Sequence, residues 1–204
     1  MGFELVNLKT MTEELGGDRT KEILSSFSCP LNQDVEYFLR TKAMPFAGQG
    51  WAQTHLVIAS YKKEPVIVGY FSLANKSITV SDSAKAKLTN GVRKRLNKFA
   101  TYEPMTKTMV LSAPLIGQLG KNFSNGYNKL ISGAELLQMA CDKIKQIQLD
   151  LGGKFAYLEC EDKPKLIQFY LNNGFIDFDT RRLDPDETST LDGHYLVQMI
   201  RHFK

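Results

Sequence analysis

The hydrophobic positions of the chain fall into continuous runs and into runs with helical spacing. Continuous apolar, β-branched runs predict strands, and they read "FELVNL", "THLVIASY", "PVIVGYFSLA", "TMVLSAPLIGQLG", "FAYLECE" and "HYLVQMIRHF". The second and third runs are separated by "KKE", which predicts a hairpin. In "DVEYFLRTKAM", helical spacing relates Val35, Phe38, Leu39 and Ala43, so this segment predicts a helix.

The clearest helix is predicted by "SGAELLQMACDKIKQIQLDLGG". Ser132 followed three residues later by Glu135 is typical of a capping box, and Gly152 and Gly153 mark the helix end. The predicted buried stripe consists of Leu137, Ala140, Ile144 and Ile147.

A shorter helix is predicted from about Pro164 to Leu171. Proline suits the first turn because its missing N–H would have no partner there. Asn173 and Gly174 end this helix, since glycine accepts the left-handed conformation of a C-terminal cap, and an extended segment follows.

The order of these elements is strand, helix, strands, strand, helix, strand, helix, strand. This order predicts an α/β arrangement with a mixed sheet, open where the central strand feeds the long helix. The 204 residues contain no repeat and no Pro/Gly/Ser-rich linker, so a single domain spanning 1–204 is expected.

Composition narrows the class of protein. The chain is 43% hydrophobic and 24% charged, without eighteen consecutive apolar residues, so no membrane span is expected. The N-terminus lacks the pattern of a secretory signal, and a cytoplasmic location is expected. Three separated cysteines and three scattered histidines predict neither a disulfide framework nor a metal site.

The turn before the long helix, "GKNFSNGYNKLISGA", is a candidate anion site. The first amides of a helix have no intrahelical acceptor, and the helix dipole favours negative charge there. A pyrophosphate could lie near Gly126 on the amides of Leu130, Ile131, Ser132, Gly133 and Ala134, with Lys129 adding positive charge. An ordinary capped helix after a polar loop explains the same residues, and Glu135 fits that alternative well.

Tyr170 in "FYLNNGF" also has two interpretations. A tyrosine near a helix end is most often a core residue with its hydroxyl at the rim. A phenol is also a competent general acid toward a departing thiolate, because its pKa lies near that of a thiol.

"SGAELLQMA" followed by "LIQFYLNNGF" resembles the GNAT (Gcn5-related) N-acetyltransferases. The resemblance implies an α/β (α+β) fold with a central mixed sheet flanked by helices and a splayed pair of parallel strands. It implies that the strand–loop–helix holds the acetyl-CoA pyrophosphate. Tyr170 falls on the family's tyrosine acid, Gly174 and Phe175 on its Gly-Phe pair, and Gly133 on the last glycine of its phosphate loop.

The layout from about Phe27 to Phe178 is similar to the GNAT toxins of toxin–antitoxin pairs, which acetylate the amino group of aminoacyl-tRNA. The segments that carry this likeness are "FSCPLNQDVEYFLRTKAMPFAGQGWAQTHLVIA", "IVGYFSLA" and "RKRLNKF" before "LIGQLGKN". The resemblance implies acetyl-CoA as cosubstrate, no metal, and tRNA and an antitoxin protein as possible partners. The protein is expected to be a monomer or a homodimer without a membrane partner.

Five positions depart from the family pattern, including Gln118 in place of an arginine and Lys121 in place of a valine. Asn128 replaces a glutamine or arginine, and Ile131 replaces the middle glycine, where a side chain is expected to crowd a phosphate. Lys163 stands where many relatives have an asparagine that contacts the cofactor arm.

The resemblance also implies how a reaction would run. A backbone N–H near Leu119 or Gly120, in the strand end that includes Lys121, would polarise the thioester carbonyl, and Tyr170 would protonate the departing sulfur. Glu159 and Glu161 are candidate general bases, directly or through water. A solvated strand end also explains both residues. An aminoacyl ester's amine is less basic than that of lysine, so such a substrate could react without a dedicated base.

The resemblance alone implies aminoacyl-tRNA as the acceptor, and a basic segment supplies candidate RNA contacts. Residues 81–100 contain one acidic residue, Asp82, and many basic ones, of which Arg93, Lys94, Arg95 and Lys98 are candidate RNA contacts. The alternative is a solvated amphipathic helix with Val92, Leu96 and Phe99 packed inward.

Two functions stay open on the sequence. One is an acetyl-CoA-dependent N-acetyltransferase. The other is a catalytically drifted GNAT-like domain that binds a protein or RNA without turnover.

Overall fold

The computed structural model describes residues 2–185, 187 and 193–204. The chain divides into two compact units. The first comprises Met1–Ala74 and Ile116–Cys141, and the second comprises Asn75–Leu115 and Asp142–Lys204. A single domain over 1–204 stays a prediction.

The described residues form eight strands and eight α-helices. The strands are β1 (Phe3–Asn7), β2 (Gln53–Tyr61), β3 (Glu64–Ser81), β4 (Thr101–Glu103), β5 (Thr108–Lys121), β6 (Phe155–Glu161), β7 (Ile176–Arg182) and β8 (Tyr195–His202). The helices are α1 (Leu8–Leu15), α2 (Gly17–Ser25), α3 (Gln33–Tyr37), α4 (Ala43–Gln49), α5 (Asp82–Lys87), α6 (Asn90–Phe99), α7 (Gly133–Leu151) and α8 (Pro164–Asn172). A π-helical turn, Phe38–Lys42, joins α3 to α4, and a 3-10 helix, Ser124–Lys129, precedes α7.

The strands form a mixed sheet with the order β1-β2-β3-β5-β6-β8-β7, and β4 pairs with β5. Strands β3 and β5 each contribute residues to both units. The predicted α/β class and mixed sheet are confirmed, while β7 is a strand that the predicted order of elements did not include.

In the first unit, β1, β2 and the start of β3 form an antiparallel meander. The hairpin predicted at "KKE" is confirmed: Tyr61 pairs with Glu64, and Lys62 and Lys63 form the turn at positive φ. Leu8, Leu24, Phe27, Leu39 and Tyr70 are buried in one hydrophobic cluster of this unit.

Helices α1 and α2 were not predicted. They are short and mostly polar, and only Leu8, Thr20 and Leu24 in them are buried. Asn7 caps α1 by accepting hydrogen bonds from the N–H groups of the second and third residues that follow it. Each helix has only one buried leucine, which gives too weak an apolar period to be recognised from sequence.

In the second unit, β6, β8 and β7 are antiparallel neighbours, and α5 and α6 occupy much of the interval 81–107. Val92 and Leu96 of α6 are buried in the cluster that contains Phe155, Tyr157 and other core residues. The inward packing expected of Phe99 is wrong, because its side chain is 44% exposed.

The capping box of α7 is confirmed. The Ser132 N–H donates to the Glu135 carboxylate at 2.8 Å, and the Glu135 N–H donates to the Ser132 hydroxyl at 3.1 Å. Of the predicted stripe, Leu137, Ala140 and Ile144 are buried, whereas Ile147 is half-buried.

No α-helix in the described part of the chain is long and apolar enough to cross a membrane. Within those same ranges, no group of three or more His, Cys, Asp or Glu residues is arranged to hold a metal ion. The three cysteines are buried, and none of them is in a disulfide within the described residues.

Candidate functional site

The loop before α7 is a short 3-10 helix with two left-handed residues. Asn125 has φ 50° and Gly126 has φ 74°, which glycine adopts without a steric penalty. A Cβ at Gly126 would have no atom within 4 Å, so the backbone conformation, not crowding, is the reason for glycine there. Gly126 is thus a turn residue, and its predicted cofactor contact stays a prediction.

Asn122 fixes the start of this loop. Its side chain is fully buried, and its Oδ1 accepts from the N–H groups of Ser28 and Ser124, both at 3.0 Å. Its Nδ2 donates to the Ile67 carbonyl at 2.8 Å. One amide therefore joins the loop to β3 and to the segment before α3, and the sequence did not single it out.

Lys121 supports the same loop from the end of β5. Its ammonium donates to the carbonyls of Asn128 at 2.9 Å and Ile131 at 3.2 Å. The ammonium is therefore held by loop carbonyls, and it adds positive charge beside the N-terminus of α7. A direct contact between Lys121 and a cofactor stays a prediction.

The predicted phosphate amides are not equivalent. The Leu130 N–H donates to the Tyr127 carbonyl at 3.0 Å, and the Ser132 N–H is bound by the Glu135 carboxylate. Hydrogen bonds with the backbone and side chain of Ser132 lower the pKa of the Glu135 carboxyl group. Gly133 and Ala134 open the first turn of α7, where amides lack intrahelical acceptors. They are the best placed of the predicted amides to receive an anion.

The expected crowding by Ile131 is not supported. Its side chain is only 2% exposed, so it is part of the protein interior and does not extend into the solvent in front of the loop. Lys129, by contrast, is exposed.

The strand end before the loop is tightly packed. A Cβ on Gly120 would overlap the Val35 side chain, and Phe27 and Tyr70 are its next neighbours. The glycine at this position is therefore required by core packing, while Leu119 beside it is half-buried. The N–H that would polarise a carbonyl stays a prediction at these two residues.

Glu159 in β6 belongs to a hydrogen-bonded network. The Tyr157 hydroxyl donates to its Oε1 at 2.5 Å, and Arg181 donates to its Oε2 at 2.6 Å. Arg181 also donates to Glu187, and Gln198 donates to the Tyr157 hydroxyl at 2.7 Å. Burial raises the pKa of Glu159, but the hydrogen bonds from Arg181 and Tyr157 outweigh it and hold the pKa below its usual value.

These contacts disfavour Glu159 as a general base. A carboxylate with a lowered pKa and two strong donors is a weak proton acceptor. The sequence did not identify Arg181 as a member of this network, because its contact with Glu159 depends on the pairing of β7 with β8.

Glu161 ends β6 and forms an ion pair with Lys163 at 2.9 Å. Its side chain is 11% exposed and that of Lys163 is 48% exposed. Both residues line a cavity of about 260 Å³ whose other walls are Asp162, Gly193, His194 and Tyr195. The ammonium of Lys163 is therefore directed to Glu161, and its contact with a cofactor arm stays a prediction.

The segment that carries Tyr170 forms a Schellman motif at the end of α8. The Phe175 N–H donates to the Tyr170 carbonyl at 3.1 Å, and the Gly174 N–H donates to the Leu171 carbonyl at 3.0 Å. Gly174 has φ 80°, which explains the glycine. The turn places the Phe175 ring edge-on to the Tyr170 ring, with centroids 5.9 Å apart.

Tyr170 is buried at 8% exposure. Burial, with a smaller contribution from Cys160, raises the pKa of its hydroxyl above the usual tyrosine value. Within the described ranges, no protein group forms a hydrogen bond with this hydroxyl. Tyr170 therefore keeps its proton at neutral pH, and the raised pKa makes it a weaker acid than an exposed tyrosine. Its role as a proton donor stays a prediction.

The four candidate RNA contacts lie on α6. Lys94, Arg95 and Lys98 are exposed, and Arg93 is half-buried with its guanidinium bonded to Asn90. No ion pair to these four residues occurs among the described residues, so the helix presents its positive charge to solvent.

Solved structures share the fold of this chain. One is AtaT complexed with acetyl-methionyl-tRNAfMet, with 16% identity, 96% of this chain and 94% of that chain covered, and a TM-score of 0.61. A Tyr-to-Phe mutant of KacT has 14% identity, coverages of 97% and 94%, and a TM-score of 0.60. A mutant AtaT toxin bound to acetyl-CoA and the C-terminus of the antitoxin AtaR has 15% identity, coverages of 98% and 92%, and a TM-score of 0.57.

At these identities the likeness shows the fold alone. The chain has the α/β fold of these GNAT-fold toxins, as the resemblance in its sequence implied. No family model and no curated protein matches the chain.

Proposed function

We propose that the protein is an acetyl-CoA-dependent N-acetyltransferase that acts on a primary amine by direct attack. The observation that carries this proposal is Tyr170, a buried tyrosine at a glycine-capped helix end whose hydroxyl has no hydrogen-bond partner in the described part of the chain, in a chain with the fold of acetyltransferase toxins. Acetyl-CoA supplies an activated acetyl thioester.

Pyrophosphate binding is proposed at the start of α7. The amides of Gly133 and Ala134 would donate to the phosphates, Lys129 would approach from solvent, and Lys121 would contribute charge from beneath the loop. Asn122 would keep this loop in place.

In the proposed transfer, the acceptor amine forms a bond to the acetyl carbon as the carbon–sulfur bond breaks. A backbone N–H at Leu119 or Gly120 would stabilise the negative charge on the carbonyl oxygen, a contribution of about 3 kcal/mol for one donor. Tyr170 would give its proton to the sulfur, and the proton released by the amine nitrogen would pass to solvent.

A dedicated base is proposed only at Glu161, reached through water, because Glu159 is bound by Arg181 and Tyr157. Glu161 is itself paired with Lys163. An aminoacyl ester is less basic than a lysine, so such an acceptor would already be partly neutral and would need little assistance.

The proposed acceptor is the amino group of aminoacyl-tRNA. The similar AtaT structure that contains acetyl-methionyl-tRNAfMet supports this choice, as does the exposed basic surface of α6. An antitoxin-like protein is a proposed partner on the same grounds, because a similar AtaT is bound to the AtaR C-terminus.

The test combines calorimetric titration with acetyl-CoA and acetyl transfer to Met-tRNA. Tyr170→Phe should lower the transfer rate by at least about a hundredfold while acetyl-CoA affinity is unchanged, since only the proton donor is removed. The matched control is Tyr37→Phe, a half-exposed tyrosine on α3, which should act as wild type. An equal rate in the Tyr170 variant would remove it as the acid, and absence of acetyl-CoA binding would overturn the enzyme proposal.

A drifted binding module is the second candidate function. The observation that favours it is the Glu135 carboxylate, which already occupies the Ser132 N–H at the proposed phosphate site. This function predicts RNA binding without any heat of binding for acetyl-CoA.

A further inference from the structure

Phe99 is a large apolar side chain in an unusual setting. It ends α6 and is 44% exposed, although Val92 and Leu96 of the same helix are buried at 6% and 0%. Its ring lies 5.9 Å from that of Phe155 and 6.4 Å from that of His202.

The other two rings hold Phe99 in place. Phe155 and His202 are opposite each other in the β6–β8 pairing, and their rings lie 5.1 Å apart. Phe155 is 1% exposed, so it forms the buried base on which the Phe99 ring rests edge-on. The result is a fixed aromatic surface with Phe99 as its outer ring.

The surroundings of this aromatic surface are basic. Arg95 precedes Phe99 by four residues and therefore lies on the same side of α6. Lys154 precedes Phe155, and its carbonyl accepts from the Phe203 N–H at 2.7 Å, so its backbone lies beside that of His202. Burial lowers the pKa of His202, and Arg95 and Lys154 lower it further. Lys98 is exposed next to Phe99, and the sequence from 83 to 102 has no acidic residue.

We infer that Phe99 and His202, flanked by Arg95, Lys98 and Lys154, form a stacking site for an unpaired nucleobase of an RNA. The inference deepens the proposed RNA contact on α6 and does not require acetyl transfer. An exposed ring offers a base a π-face, and the cations bind the phosphates on either side of it. The nucleic acid is preferred because the site combines an exposed ring, which stacks on a base, with cations placed to bind the phosphates on either side.

The site is remote from the carboxyl end of β6. Phe155 and Glu161 are six residues apart in one strand, which corresponds to about 20 Å. A base stacked on Phe99 would therefore position a folded RNA and would not enter the reaction.

The test uses fluorescence anisotropy with two labelled RNAs, a hairpin with a four-uridine loop and a blunt duplex of the same stem. Phe99→Leu keeps an apolar side chain but removes the ring, so it should weaken hairpin binding about tenfold and leave duplex binding and thermal stability unchanged. Phe99→Trp should restore hairpin binding.

The matched control is Tyr102→Leu. Tyr102 is 47% exposed, but its hydroxyl donates to Asp82, so this ring has an acidic neighbour and its loss should not affect either RNA. Equal hairpin affinity in wild type and Phe99→Leu would overturn the inference, as would an equal loss for hairpin and duplex.

A failure of the stacking site can be distinguished from a failure of the proposed acetyltransferase function. Acetyl-CoA affinity should be the same in wild type and in Phe99→Leu. If the protein binds acetyl-CoA but neither RNA, the stacking site is wrong and the acetyltransferase acts on another amine. If it binds the hairpin through Phe99 but not acetyl-CoA, the stacking site stands and the enzyme proposal fails.

Discussion

At the scale of single residues, the loop before α7 depends on one buried amide. Asn122 has no exposed surface, and its side chain bonds to Ser28, Ser124 and Ile67. Gly126 allows the left-handed backbone conformation of the turn, whereas the hydrogen bonds of Asn122 fix the position of the turn. A loop that must present amides to a phosphate needs such a fixed origin.

Asn122→Ala is expected to lower the free energy of unfolding by about 3 kcal/mol, because two N–H groups and one carbonyl lose their partners. Acetyl-CoA affinity should fall with it. Urea unfolding and calorimetry measure the two effects. Asn128→Ala is the control, since the bond from Lys121 is to the backbone carbonyl of Asn128 and survives the change. Wild-type stability in Asn122→Ala would show that the loop is held by other contacts.

At the scale of elements, α7 begins with a carboxylate where the resemblance to acetyltransferases places a pyrophosphate. Glu135 completes the capping box through its bond from the Ser132 N–H. The same charge that satisfies the helix terminus repels an incoming phosphate. Capping and cofactor binding are therefore in competition at the first turn of α7.

Glu135→Gln should separate these two roles. Glutamine also completes a capping box, so thermal stability should be retained, while removal of the negative charge should tighten acetyl-CoA binding about threefold. Glu14→Gln, on the exposed side of α1, should leave the affinity unchanged. Weaker binding in Glu135→Gln would mean that the carboxylate is required to hold the loop, or that the phosphate lies elsewhere.

At the scale of the whole molecule, one arginine controls part of the response of stability to pH. Arg181 is 24% exposed and bonds to Glu159 and Glu187. Its hydrogen bonds lower the pKa of Glu187 and, against the effect of burial, that of Glu159. A lowered carboxyl pKa stabilises the folded state above the unfolded value of about 4.3, and this stabilisation is lost as pH falls through the folded value.

Arg181→Met is expected to lower the free energy of unfolding at pH 7 by about 2 kcal/mol. This is less than the roughly 3–5 kcal/mol of fully buried pairs, because Arg181 retains some exposure. The difference from wild type should be largest above the unfolded value of about 4.3 and should shrink as pH falls through the lowered folded pKa values of the two carboxyl groups. Urea unfolding at pH 7 and pH 3.5 measures it.

Arg182→Met is the matched control on the same strand, since Arg182 is exposed. Its stability should follow that of wild type at both pH values. A difference for Arg181→Met that is equally large at pH 3.5 would show that packing of the side chain, not its charge, is responsible.

The sequence by itself determined the features that depend on neighbouring residues. The capping box of α7, the hairpin at "KKE", and the glycine-ended helix that carries Tyr170 were all predicted, because each is formed by groups within a few residues of one another. Continuous apolar runs likewise predicted six of the eight described strands, all except β4 and β7. The resemblance carried by "SGAELLQMA" and "LIQFYLNNGF" led to the GNAT-like fold.

The tertiary structure alone decided which side chains meet. Ser28 and Asn122 are 94 residues apart in sequence, and Glu159 and Arg181 are 22 apart, so no local pattern could pair them. The sequence also did not show that Ile131 is buried or that Phe99 is exposed. Helical spacing had assigned Phe99 to the interior. Periodicity indicates that a face is apolar, but the length of the neighbouring elements decides how much of that face is covered.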